Sequence, residues 1–402
     1  MSGVDSRYAW WRLTASAAIS MLGSFGMWGV VVVFPAVQAD FGISRADVAF
    51  SYTTTMLGFG AGSILLGRMI DSRGAFATML LATVLLAGGC LLAALASSFW
   101  MFALVQGALI GFGSAAMFMS LVADISHWFL KRRGLAMAIC ASGNYVGGAL
   151  WPNIVEGLTR AYDWRTTYFI VGGIILAGML PCCLALMRPS PVHGMASTAT
   201  AAAAHSTQAL GLSPNALQTL LAVAGIGCCI AMAMPQVHIV AYCVDLGYGP
   251  ARGAEMLAIL SASGVISRIA SGWIADRVGG IRTLLLGSTL QAIALLFYLV
   301  FDGLTSLFLV STLFGLVQGG IIPSYGLIVR EYFPPREAGM RIGIAISATI
   351  VGMALGGWMG GALYDATGSY RAAFINGIAW NVLNGAMIWW LLARQTRRNV
   401  YA

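Results

Sequence analysis

The chain has 402 residues, of which 59% are hydrophobic and only 9% charged, against about 25% charged residues in ordinary soluble domains. A water-soluble globule is excluded, because apolar stretches of about 20 residues, enough to span a hydrocarbon core of about 30 Å, recur along the chain. The net charge of +8 comes from basic residues scattered over short loops; they form no stripe of the kind that grips nucleic acid, so no nucleic-acid partner is expected.

At the amino end a few polar residues and Trp10-Trp11 lead into a long apolar run. It lacks the short apolar core and small-residue cleavage site of a signal peptide and reads as an uncleaved first span. Hydropathy predicts twelve spans, near 13–37, 47–67, 76–95, 98–126, 135–158, 166–187, 215–242, 253–275, 282–301, 305–329, 339–363 and 372–393. Between spans six and seven the stretch from Arg188 to Pro214 is rich in Ala, Ser, Thr and Pro and has no apolar periodicity. The expected organisation is an all-α membrane protein with a six-helix bundle over 1–188, a cytoplasmic linker over 189–214 and a second six-helix bundle over 215–402.

With the amino terminus inside, sixteen of the 22 Lys and Arg residues fall in cytoplasmic segments and five, Arg45, Arg160, Arg165, Arg252 and Arg371, fall on the opposite side. This bias follows the positive-inside rule and places both termini in the cytoplasm. One cation, Arg268, belongs to neither side. The seven cysteines lie in apolar runs without metal-ligand spacing, so neither metal nor cofactor is expected. The 50 glycines suit close approach of membrane helices.

The two sides of the linker resemble each other in register. Gly67-Arg68-Met69-Ile70-Asp71-Ser72-Arg73-Gly74 answers Gly272-Trp273-Ile274-Ala275-Asp276-Arg277-Val278-Gly279, 205 residues on. Trp128-Phe129 before Lys131-Arg132-Arg133-Gly134 answers Tyr332-Phe333 before Arg336-Glu337-Ala338-Gly339, and Asp163-Trp164-Arg165 answers Ser369-Tyr370-Arg371. Such parallel repeats imply two pseudo-symmetric bundles, a solute site near mid-membrane at the repeat interface, and rocking of the halves around it.

The loop pattern G-x-x-x-D-x-x-G, present after spans two and eight, resembles the signature of the major facilitator superfamily. The Trp128-Phe129-x-Lys131-Arg132-Arg133-Gly134 stretch, Ser142-Gly143, Asp163-Trp164-Arg165 and Arg268 are similar to the monocarboxylate and oxalate/formate transporter group. The resemblance implies the major facilitator fold, no catalysis, and secondary transport of a small organic acid. Its gate residues would be Gly67, Asp71, Gly74, Gly272, Asp276, Arg277 and Gly279, although these turns could equally serve only to set helix spacing. The first loop departs from the pattern in having Ser72 directly after Asp71.

Arg268 lies eight residues before Asp276, about 12 Å inside the helix end. An intramembrane Arg marks a functional site by default, and its flat fork suits a carboxylate; the alternative is a structural bridge to an acid elsewhere. The monocarboxylate group often carries an acid one turn before this Arg, where the chain has Gly264, and its animal members carry a first-span lysine, where the chain has Gly29. Oxalate carriers bear a second cation, where the chain has Thr349. One guanidinium balances one carboxylate, so a monocarboxylate is expected, with a proton or a counter-anion as coupling partner.

In relatives the cavity is lined by residues of spans one, four, five, seven, eight, ten and eleven, which makes Trp28, Asn144, Tyr145, Gln318, Ser324 and Tyr325 a pool of candidate ligands, each with helix-to-helix hydrogen bonding as the alternative. His238 could relay a proton or bind solute, or be satisfied by a neighbouring carbonyl. Asp124 could carry a proton, but a gate contact with Arg133 is expected, and Glu156 is expected to reach water or to meet Arg160 at i+4. No Walker loop or Ser/His/Asp set is seen, which argues against an ATP-driven pump or an enzyme. The expected protein is a monomer embedded in lipids of the plasma membrane. Two other readings stay open, a carrier of another solute class such as a dicarboxylate, sugar or drug, and a non-transporting membrane sensor.

Overall fold

The computed structural model describes residues 4–130, 132–188 and 210–401; within these ranges the side chains of Asp71, Met119, Arg133 and Arg336 are among those outside the described set. Most of the expected linker therefore lies outside the described residues. What is described is helical, with no β-strand.

The first span is α1 (Arg7–Gly23) continued by α2 (Phe25–Val32), followed by the short α3 (Phe34–Phe41). Spans two and three form one continuous stretch, α4 (Arg45–Ala94), whose 50 residues are too many for a single crossing. The turn between them is Gly74, with φ 80° and ψ 172°, a backbone region open essentially to glycine alone. Span four consists of α5 (Phe99–Val105), α6 (Phe112–Ala115) and α7 (Leu121–Ile125), with π-helical stretches at Gln106–Gly111 and Ala116–Ser120 between them. Spans five to nine are α8 (Arg133–Ala161), α9 (Trp164–Leu184), α10 (Pro214–Asp245), α11 (Pro250–Val278) and α12 (Gly280–Val300). Span ten is split into α13 (Leu304–Gln318) and α14 (Ile321–Tyr332), and α15 (Pro335–Thr367) and α16 (Tyr370–Tyr401) complete the chain. Among the described residues eight helices are long and apolar enough to cross a membrane by length and composition; the other four expected spans coincide with 45–71, 99–125, α8 and α16.

Side-chain caps start several of these helices. Ser44 accepts from the Asp47 amide while Asp47 accepts from the Ser44 amide, a reciprocal box that opens α4. Asp163 accepts from the Thr166 amide at 2.8 Å and opens α9. That bond holds the Asp163 carboxyl below its usual pKa.

Two compact units result. The first runs through α9 and also takes in Ile239–Ser261, and the second takes the chain before Ile239 on α10 and everything from Ala262 onward. In the first unit Arg45, which begins α4, pairs with Asp245, which ends α10, at 2.5 Å. Glycines allow backbone contact within each unit. A Cβ on Gly58 would lie 1.9 Å from the Gly107 carbonyl oxygen, and one on Gly147 would lie 2.4 Å from the Met21 carbonyl oxygen. In the second unit a Cβ on Gly352 would lie 2.5 Å from the Ile226 carbonyl oxygen. Gly147 and Gly352 stand 205 positions apart, so the small-residue contact of span five with span one recurs between spans eleven and seven.

Candidate functional site

Arg268 occupies the interior of α11, and between Glu255 and Asp276 it is the helix's only charged residue. It is partly exposed. The face of α11 that carries it is pressed against the break in span ten: a Cβ on Gly319 would lie 2.5 Å from the Gly264 carbonyl oxygen and 2.8 Å from the Arg268 amide nitrogen, and one on Gly320 would lie 2.1 Å from Ser271 Cβ. The Gly319 amide donates to Ser267 Oγ at 3.0 Å. The signal for this break was available in Gly319-Gly320 followed by Pro323, since Pro lacks the amide of a continuing helix.

Two of the positions at which the chain departs from its resembled family, 29 and 349, are closed by packing. Gly264 faces the backbone of Gly319. A Cβ on Gly29 would lie 2.2 Å from the Phe25 ring. Thr349 is buried, donates to the Ile346 carbonyl and stands against Gly225. A long charged side chain at position 29 or 349 would displace its neighbours.

The other expected ligands divide into two sets. Asn144 and Tyr145 are partly exposed on α8. Trp28 is buried, and its indole N–H has no hydrogen-bond partner among the described residues. Gln318 is buried, and its carbonyl oxygen accepts from Gln236 Nε2. By contrast, Tyr325 and Ser324 are turned to helix packing. Tyr325 is fully buried and donates to Asn384 Oδ1 at 3.1 Å, while Asn384 Nδ2 donates to Ser288 Oγ at 2.8 Å. Ser324 Oγ donates to the Gly320 carbonyl. His238 is likewise engaged with its surroundings: Nε2 donates to the Gly357 carbonyl at 2.8 Å, its ring lies 5.2 Å from that of Tyr370, and a Cβ on Gly360 would lie 2.3 Å from Nε2. Nε2 thus meets a neighbouring carbonyl, and the absent side chain of Gly360 leaves room for the imidazole.

In the gate motifs Gly74 and Gly279 share one backbone conformation, φ 80° with ψ 172° and φ 83° with ψ 168°. The second glycine of each motif is thus required by the turn. Gly67 and Gly272 meet nothing within 4 Å of a built Cβ, so no such requirement applies to them. Asp276 and Arg277 are exposed, with the Arg277 guanidinium 3.5 Å above the Trp273 ring. The Asp71 side chain lies outside the described residues. At the start of α12 the Gly280 amide donates to Glu331 at 2.9 Å, a cap that adds a carboxylate to the positive end of the helix.

Asp124 is held by the first helix. It takes a bidentate pair from Arg12, with Arg12 Nε donating to Oδ2 at 2.8 Å and Nη2 to Oδ1 at 2.9 Å. Arg12 Nη1 donates to the Arg188 carbonyl at 3.0 Å, and its guanidinium lies 4.7 Å from the Trp128 ring. The Arg133 side chain, the expected partner, lies outside the described residues; Arg12 is helical and 1% exposed. Its signals were Trp10 and Trp11 directly before it and Asp124 one turn before Trp128. Glu156 and Arg160 stand 3.9 Å apart, as the i+4 spacing predicts. The Asp163-Trp164-Arg165 motif is structural: Asp163 caps α9, Trp164 is buried, and Arg165 pairs with Asp40 at 2.5 Å and donates to the Ala96 carbonyl.

A helical, multi-pass architecture with a repeated Gly-turn motif and a guanidinium in the interior of α11 fits a membrane transporter, and sequence similarity assigns the class. Residues 16–312 and 269–401 match the sequence profile of the Major Facilitator Superfamily. The chain belongs to that superfamily, whose members are transporters and not enzymes. It is 31% identical over 300 residues to monocarboxylate transporter 13 of Bos taurus, a match covering 73% of this chain and 68% of the relative. It is 23% identical over 387 residues to the MFS-type transporter pynF of Aspergillus niger, covering 94% and 87%. Among solved structures, a bacterial homologue of the human lysosomal transporter Spinster superposes with a TM-score of 0.75 at 14% identity over 98% of this chain and 99% of that one. The nucleoside transporter NupG superposes with a TM-score of 0.75 over 94% and 99%.

Proposed function

We propose that the protein is a secondary active transporter of a small organic monoanion, with Arg268 as the anchor of the solute's carboxylate. The observation that carries this reading is a partly exposed guanidinium in the interior of α11, where a cation is costly unless it serves a wet path or an anionic ligand. The packing at positions 29 and 349 supports a single-cation site, and one guanidinium balances one carboxylate. The 31% identity to monocarboxylate transporter 13 over 300 residues supports the same solute class. Asn144, Tyr145 and Trp28 are the further side chains to test against solute. The charge bias along the sequence favours a plasma-membrane protein with both termini cytoplasmic and with a bundle either side of the linker. A proton or a counter-anion drives the cycle.

The test is counterflow of labelled carboxylates in proteoliposomes, with and without an imposed pH gradient, for wild type and Arg268→Gln. Saturable uptake that Arg268→Gln abolishes while the protein still folds supports the reading. Undiminished uptake by the variant refutes the anchor, and strong preference for dicarboxylates refutes the one-charge argument.

A further inference from the structure

We infer that Gln318, held in place by Gln236, is a second ligand of the transported carboxylate beside Arg268; this rests on the proposed role of Arg268. Gln318 is the last residue of α13, directly before the break, and is 2% exposed. Its carbonyl oxygen accepts from Gln236 Nε2 across to α10, which fixes the amide plane. Its own Nε2 is buried with no hydrogen-bond partner among the described residues. Leaving such a donor unsatisfied is unfavourable, and buried polar groups in native proteins nearly always find a partner.

The break brings this donor to the Arg268 turn. Gly319, next to Gln318, stands so close to α11 that a Cβ there would lie 2.8 Å from the Arg268 amide nitrogen, and its own amide is drawn out to Ser267 Oγ. A helix running unbroken through 318–321 would not need that bond. The two glycines therefore bring the end of α13 to the turn of α11 that bears the guanidinium. A carboxylate has two oxygens and about four acceptor positions. Arg268 supplies charge and a planar fork, while the Gln318 amide supplies a neutral donor whose orientation is set in advance by Gln236.

The experiment is uptake kinetics in proteoliposomes with acetate, propionate, benzoate and phenylacetate, for wild type, Arg268→Gln, Gln318→Leu, Gln318→Glu and Gln236→Leu, each checked for an unchanged melting midpoint in detergent. Gln318→Leu is expected to raise KM by about 10- to 100-fold for every transported carboxylate, the loss of one hydrogen bond to a charged group, with maximal rate kept. Gln236→Leu is expected to raise it by less. Gln318→Glu repels the solute when ionised and donates when protonated, so its KM relative to wild type should fall toward that of wild type as pH is lowered. A side chain that only joins helices would shift the melting midpoint without this pH-dependent ratio. Wild-type KM in Gln318→Leu, or a Gln318→Glu to wild-type ratio that does not change with pH, overturns the inference while leaving Arg268 in place. Undiminished uptake by Arg268→Gln, or no uptake of any of the four acids, overturns the proposed function and this inference with it.

Discussion

The chain places a guanidinium inside a helix at both Arg12 and Arg268, and the two differ in burial. Arg12 is 1% exposed and has its charge met by both oxygens of Asp124, with the Arg188 carbonyl and the Trp128 ring completing its shell. Arg268 is partly exposed on a helix face shaped by two glycines of the broken span ten. A cation enclosed by a bidentate acid from a helix of its own unit is part of the scaffold. The partly exposed cation in the interior of α11 is the one we propose as the anchor of the solute. Residue type is the same in both cases, and the neighbouring helix separates them.

The largest expected effect lies on the exposed member of this comparison. Arg268→Gln should lower carboxylate uptake by about 100-fold or more, as truncating one partner of a desolvated charge pair does, with little change in thermal stability. The reverse pattern should hold at the other site. Asp124→Asn or Arg12→Met leaves one buried charge without its partner and should destabilise the protein by about 3–5 kcal/mol, read as a lower melting midpoint in detergent. The double variant Arg12→Met with Asp124→Leu should recover much of that loss, and once folded it should transport with a KM near wild type. A large rise in KM in the double variant would move Arg12 from scaffold to site.

A smaller effect tests the repeat that gives both units their turns. Gly74→Ala and Gly279→Ala each force a side chain into the same glycine-only conformation and should each cost about 1–3 kcal/mol. Similar losses at the two positions would confirm that the motif glycines serve the backbone, whereas loss of transport with stability intact would give the turns a gating role. The smallest effect concerns Asp163, an exposed cap. Its carboxyl is held below the usual value chiefly by the Thr166 amide. The folded pKa is depressed, so the cap's contribution is complete above the unfolded value of about 4 and fades as pH falls through the folded one. Asp163→Ala should remove that acid-side slope from the melting profile and change little else.

Much of the architecture was legible before the fold. The twelve apolar ranges coincide with helices because one solvent, hydrocarbon, imposes one length. The turn glycines Gly74 and Gly279 were marked by spacing alone, since no other residue adopts their backbone conformation readily. Arg268 stood out because no loop could own it. Less legible was the fate of polar residues within helices. His238 and Tyr325 each had two readings in the sequence, solute contact or a bond between helices, and His238 Nε2 meets the Gly357 carbonyl while the Tyr325 hydroxyl meets Asn384. Those partners lie 119 and 59 residues away, and nothing in the local pattern ties them together.

What the sequence by itself determined, then, was the membrane as solvent, the repeat near 205 residues, and the single cation left over from the loops. These follow from composition and periodicity, which are local properties of a chain. Only the tertiary structure decided that Arg12 is neutralised by an acid 112 residues away, that Ile239–Ser261 packs with the first unit, and that Gly319 and Gly320 bring the break in span ten onto the turn of Arg268. Each of those depends on which helices become neighbours. Coulomb attraction and hydrogen bonding act over a few ångströms, and a linear spacing does not state which residues will come that close.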